Sequence, residues 1–127
     1  MVACAAANAT LDVIADEGLV ANARDRGAQL LAGLRGLAAG RPAVGDVRGL
    51  GCMVALELVK PGEGDGRVPD AELTRRVIAG ALERRLIVLS AGSYGQVVRI
   101  IPPLVTTAAE VDGAIRILGE SLAATGA

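Results

Sequence analysis

The chain has 127 residues with 13 basic and 14 acidic side chains, a net charge of −1, so it carries no broad basic field for nucleic acid or an anionic membrane. Its hydrophobic fraction is 52%, yet Tyr94 is its one aromatic residue and Phe, Trp and His are absent. An aliphatic, closely spaced core in a single domain is expected, and histidine-based catalysis and zinc chemistry are effectively excluded.

Residues 3–17 contain good helix formers, place Leu11 and Ile14 on one face and end at Gly18. A second helix is predicted over residues 19–39, where Ala23, Leu30, Leu31, Leu34 and Leu37 recur at helical spacing before Gly40 and Pro42. The stretch Asp46-Val47-Arg48-Gly49-Leu50-Gly51 leads into an apolar run of strand length over residues 52–59. Alternation in that strand puts Cys52, Val54, Leu56 and Leu58 on one face and Met53, Ala55, Glu57 and Val59 on the other. Residues 60–69 hold three glycines and two prolines and form a solvated loop, with Glu63-Gly64-Asp65-Gly66 as a turn.

Asp70 can cap a third helix reaching Arg85, with Leu73, Val77, Ile78, Ala81 and Leu82 as its inward stripe. Two short strands are predicted at residues 86–89 and 97–101, split by the turn-rich residues 90–96 and stopped by Pro102 and Pro103. Thr107-Ala108-Ala109-Glu110 matches a capping box, and Val111, Ala114, Ile115, Leu118 and Leu122 line one face of a last helix. The order implies an α+β fold, a small mixed sheet covered on one face by helices. The first helix starts within a few residues of Met1 without a capping residue, which suggests a beginning cut from something longer.

Arg99 is the most informative side chain. Strand alternation sets it beside Val97 and Ile101 and next to the double proline. Burying a guanidinium there without an anion is costly, and its planar fork suits a carboxylate held by two parallel hydrogen bonds. Three fates are open to it: a ligand carboxylate, an internal ion pair with Glu57, or exposure on an edge strand. Gly49-Leu50-Gly51 lacks the third glycine of a dinucleotide fingerprint and is followed by a strand, so it reads as a place where backbones come close. The hydroxyls of Ser90, Ser93 and Tyr94 either line a small polar pocket or lie on an exposed turn. Cys52 suits a small buried hydrophobe, and Lys60 sits in a charged loop with no apolar pocket to activate it. Cys4 and Cys52 can in principle form one disulfide, but nothing else looks secreted, and the apolar start is too short for a membrane span and too polar for a signal peptide. A soluble, cytoplasmic chain is expected.

Taken in order, Ala3-Cys4-Ala5-Ala6-Ala7, the run from Gly45 through Gly51 into Cys52-Met53, and the run from Leu89 through Ser90-Ala91-Gly92-Ser93-Tyr94-Gly95 to Val97-Val98-Arg99-Ile100-Ile101-Pro102-Pro103-Leu104 resemble the C-terminal portion of class III pyridoxal-phosphate aminotransferases. The lead into Arg99 is most similar to the 4-aminobutyrate branch. The resemblance covers nearly the whole chain and implies the small domain of a fold-type I enzyme, with the large cofactor-binding domain absent. It also implies that residues 46–51 are a turn feeding the small-domain sheet, and that Arg99 binds the carboxylate of an amino-acid or oxo-acid substrate, the α-carboxylate when glutamate or 2-oxoglutarate is bound, as amino groups pass from 4-aminobutyrate or a similar ω-amino acid to 2-oxoglutarate. The family's aldimine lysine and the other groups that hold pyridoxal phosphate have no counterpart here, so this chain alone is expected to bind no cofactor and to be inactive. A large-domain chain or a homodimer is the implied partner. The alternative is a stand-alone, non-catalytic binding or protein-interaction module derived from that domain.

Overall fold

The computed structural model describes residues 1–62 and 68–126; the Glu63-Gly64-Asp65-Gly66 turn lies outside the described residues. Eight elements follow in order: α1 (Val2–Asp16), α2 (Leu19–Ala38), β1 (Val44–Leu50), β2 (Met53–Leu58), α3 (Ala71–Glu83), β3 (Leu89–Ala91), β4 (Val97–Ile100) and α4 (Ala108–Ala124). The strands form one sheet in the order β1-β2-β4-β3; α2 and α3 pack on one of its faces, and α4 packs on those two helices. The α+β class and the one-sided helical cover agree with the sequence. The sheet is not mixed, however, because every strand pair is antiparallel. Tight connections produce this: β1 and β2 form a hairpin, and β3 meets β4 across a short turn.

Alternation along each strand decides which side chains meet the helices. Val47 of β1, Val54, Leu56 and Leu58 of β2, and Val98 and Ile100 of β4 point inward. They pack on Leu30 and Leu34 of α2, Leu73, Val77 and Ala81 of α3, and Val111, Leu118 and Leu122 of α4. The core is aliphatic throughout, as composition required. Its helices approach closely at glycines: a methyl on Gly33 of α2 would lie 2.3 Å from Ile115 of α4.

Two helix starts behave as the sequence indicates. Asp70 accepts a hydrogen bond from the Leu73 amide at 2.8 Å, a cap that contributes about 1 kcal/mol. At α4 the box is complete: the Glu110 amide donates to Thr107 Oγ1, while the Thr107 amide and hydroxyl both donate to Glu110 Oε2 at 2.8 Å. Those two donors hold the Glu110 carboxyl below its usual range. Because folding lowers this pKa, the contact stabilises above the unfolded carboxyl pKa and is lost as pH falls through the folded one. Melting curves of wild type and Glu110→Gln are therefore expected to converge on acidification. A stability difference unchanged with pH would count against this linkage.

Four further expectations need correction. Residues 46–51 are not a turn but most of strand β1, whose two glycines and alternating charges disguise its pattern. The strand predicted at residues 86–89 begins only at Leu89, because Arg85 turns the chain in a left-handed conformation and ladder pairing with β4 starts at the Leu89–Arg99 pair. Leu82 is exposed rather than inward, and Thr74 takes the buried place in α3, its hydroxyl donating to the Asp70 carbonyl at 2.9 Å. Leu11 is likewise exposed, since α1 packs only on α2 and buries no residue of its own.

Candidate functional site

The face of the sheet opposite the helices has no covering element among the described residues. Leu50, Met53 and Leu89 stand exposed there, an apolar surface of the kind that marks an interaction site. Strand register sets Arg99 in its middle. Arg99 pairs with Ala55 of β2 on one side and Leu89 of β3 on the other. It lines a shallow depression of about 470 Å³ with Arg48, Gly49, Leu50, Met53, Ala55, Ala91 and Gly92.

This arrangement excludes the Glu57 ion pair and the edge-strand position. Glu57 is not the partner of Arg99: it accepts from Arg48 Nη1 at 2.5 Å, and Asp46 accepts from the same nitrogen at 2.8 Å. These carboxylates raise the Arg48 pKa further above its ordinary value. Nor is β4 an edge strand, since it runs between β2 and β3. Arg99 is exposed because its face is bare, so no burial penalty demands an anion in this chain. Among the described residues no carboxylate lies within ion-pair distance of it. The result is one uncompensated guanidinium in an apolar depression.

The other singled-out residues do less. Ala91 and Gly92 reach the depression, but Ser90, Ser93 and Tyr94 are exposed and do not line it. Cys52 is buried, its thiol donates to the Ala23 carbonyl at 3.5 Å, and burial pushes its pKa up, the opposite of an activated nucleophile. Both cysteines are free thiols. Gly49 and Gly51 bring backbones together, as expected: a methyl on Gly49 would meet the Met53 carbonyl oxygen at 2.5 Å, and Gly51 turns the hairpin at φ +52° against α2. The Arg48 cluster escaped sequence reading. Its signal was Asp46 and Arg48 two residues apart, which share a face once β1 is recognised as a strand.

The aminotransferase class-III family profile matches residues 1–122. The chain belongs to that family. It is 41% identical over 119 residues to the 4-aminobutyrate aminotransferase GabT of Escherichia coli, covering 94% of this chain and 28% of that protein. It is also 41% identical over 122 residues to the 5-aminovalerate aminotransferase DavT of Pseudomonas putida, covering 96% of this chain and 28% of the relative. This class-III chain thus spans about 28% of the length of these curated relatives. An amine transaminase from an uncultivated Pseudomonas species, solved in its pyridoxal-phosphate-bound form, superposes with a TM-score of 0.84 at 35% identity, over 96% of this chain and 27% of that one. No helix among the described residues is long and apolar enough to cross a membrane.

Among the described residues of this class-III chain, those around the depression do not fit pyridoxal phosphate. Its single lysine, Lys60, follows β2 in an exposed position and does not line the depression. Asp46 and Glu57, the acids beside Arg48 on the open face among the described residues, are engaged by it. Its one aromatic ring, Tyr94, is 72% exposed and has no place in the depression to stack on a cofactor.

Proposed function

We propose that this chain is the small domain of a class-III aminotransferase, a single domain over residues 1–127, and that Arg99 is its contribution to substrate binding. The uncompensated Arg99 guanidinium in the apolar depression carries this reading. A carboxylate that arrives there meets a planar fork with matching geometry and no competing acid, so it is both attracted and oriented. The donor that fits is 4-aminobutyrate or a similar ω-amino acid, in line with the names of the relatives, a 4-aminobutyrate and a 5-aminovalerate aminotransferase; the acceptor in this proposal is 2-oxoglutarate, whose carboxylate suits the same fork.

Pyridoxal phosphate belongs, in this proposal, to a complementing large-domain part or partner chain that closes over the bare face, within a cytoplasmic dimer. The isolated chain is then inactive. Mixed with pyridoxal phosphate it is expected to show no lysine–cofactor absorbance band and no turnover of 4-aminobutyrate with 2-oxoglutarate. A distinct band abolished by Lys60→Ala would contradict that.

A second reading, a non-catalytic interaction module, is favoured by the exposed apolar side chains of Leu50, Met53 and Leu89. A chimaera separates the two. With this chain in place of the matching segment of the Escherichia coli relative, transamination is expected if the first reading holds; a folded, cofactor-loaded but inactive chimaera favours the module.

A further inference from the structure

Arg99 is not the only arginine in the depression. Arg48 of β1 pairs with Ala55 of β2, and Ala55 pairs with Arg99 of β4, so the two arginines lie on one rung of the sheet and on one face. Their Cα atoms are two strand spacings apart, about 10 Å, and the side chain between them is a single methyl. Two long guanidinium arms over an alanine are well placed to hold the two ends of a short dicarboxylate. Only Arg99, however, presents its charge. Arg48 is engaged by Asp46 and Glu57, two carboxylates on one cation, so that side of the depression carries one negative charge in excess.

We infer that Asp46 and Glu57 mask Arg48, making this face a receptor for one carboxylate group and denying a dicarboxylate any gain from its second end. The inference rests on the reading of Arg99 as the carboxylate grip and adds the residues that limit what it accepts. Asp46 and Glu57 are on this account specificity-determining: they hold Arg48 aside and repel a second anion. Removing their charge exposes a second anion site on the same rung.

The test follows individual guanidinium Nε–H resonances in the ¹⁵N-labelled full chain, assigned with Arg48→Lys and Arg99→Lys, during titration with butyrate and with glutarate. In the wild type both ligands are expected to shift Arg99 and leave Arg48 in place, with dissociation constants within about twofold, the statistical advantage of two ends. In Asp46→Asn/Glu57→Gln, glutarate is expected to shift both arginines and bind about three- to fivefold tighter, the scale of one additional exposed ion pair, while butyrate affinity at Arg99 is unchanged. Glu57→Gln alone serves if the double variant loses its amide spectrum, with a smaller gain in the same direction. Glutarate that already shifts Arg48 in the wild type, or variants that gain nothing for glutarate, would overturn the masking role while leaving Arg99 as the grip. Failure of both ligands to shift Arg99 would instead remove the reading of Arg99, and the masking role with it.

Discussion

Arg99→Ala is expected to lower kcat/KM for 2-oxoglutarate about 30- to 1000-fold in the chimaera that carries this chain. Truncating one member of a hydrogen-bonded charge pair in a covered site costs about 2–4 kcal/mol, much of it from the partner charge left without a counter-ion. Here the face is bare, so the guanidinium is exposed in the chain alone and reaches that value only when a large domain excludes water above it. Arg99→Lys keeps the charge but not the fork, and is expected to recover only part of the loss. Steady-state kinetics of the three proteins check this. The fold does not depend on the side chain, because Arg99 makes no ion pair among the described residues and points away from the core.

Gly27→Ala is expected to destabilise the chain by about 2 kcal/mol, although alanine in mid-helix ordinarily gains about 1 kcal/mol over glycine. Space decides the sign. A methyl on Gly27 would sit 2.1 Å from the Gly51 carbonyl oxygen, and both partners are backbone that cannot rotate away. The β1–β2 hairpin would have to lift from α2, moving the strand that carries Arg48. Gly36, in the same helix, supplies the control: a methyl there meets nothing within 4 Å, so Gly36→Ala is expected to be neutral or stabilising. Denaturant melts of the two variants make the comparison. A stabilised Gly27→Ala would mean that the hairpin and helix are not in contact as described.

Strong periodicity made the helices legible. The stripe of Leu30 and Leu34, the Asp70 cap and the Thr107–Glu110 box each combine a local signal with a consistent tertiary role. Strands with weak local signals were harder to read. Strand β1 holds two glycines and a charged pair, and it exists because its ladder with β2 satisfies a backbone that its side chains would not hold extended. Strand β3 is three residues long and is positioned by pairing with β4 rather than by its own composition. Leu11 and Leu82 have the right spacing for burial but no surface opposite them, a property of the assembled layers that periodicity does not contain.

The site was legible in one respect and not in another. Alternation in a short strand sufficed to set Arg99 on the face away from Val98 and Ile100. Its neighbours depend on pairing register. A register offset of two residues along β2 would have put Glu57 rather than Ala55 opposite Arg99 and quenched its charge; the observed register gives Glu57 to Arg48 instead. The sequence pattern permits both arrangements, and only the ladder distinguishes them.

The most direct measurement compares kcat/KM for 4-aminobutyrate with that for propylamine, the same amine without its carboxylate, in the chimaera with Arg99 and with Arg99→Ala. A carboxylate grip at Arg99 requires the substitution to remove most of the advantage of 4-aminobutyrate and to leave propylamine within about threefold of its original value. An equal fall for both amines, or an advantage for 4-aminobutyrate that survives the substitution, would contradict it.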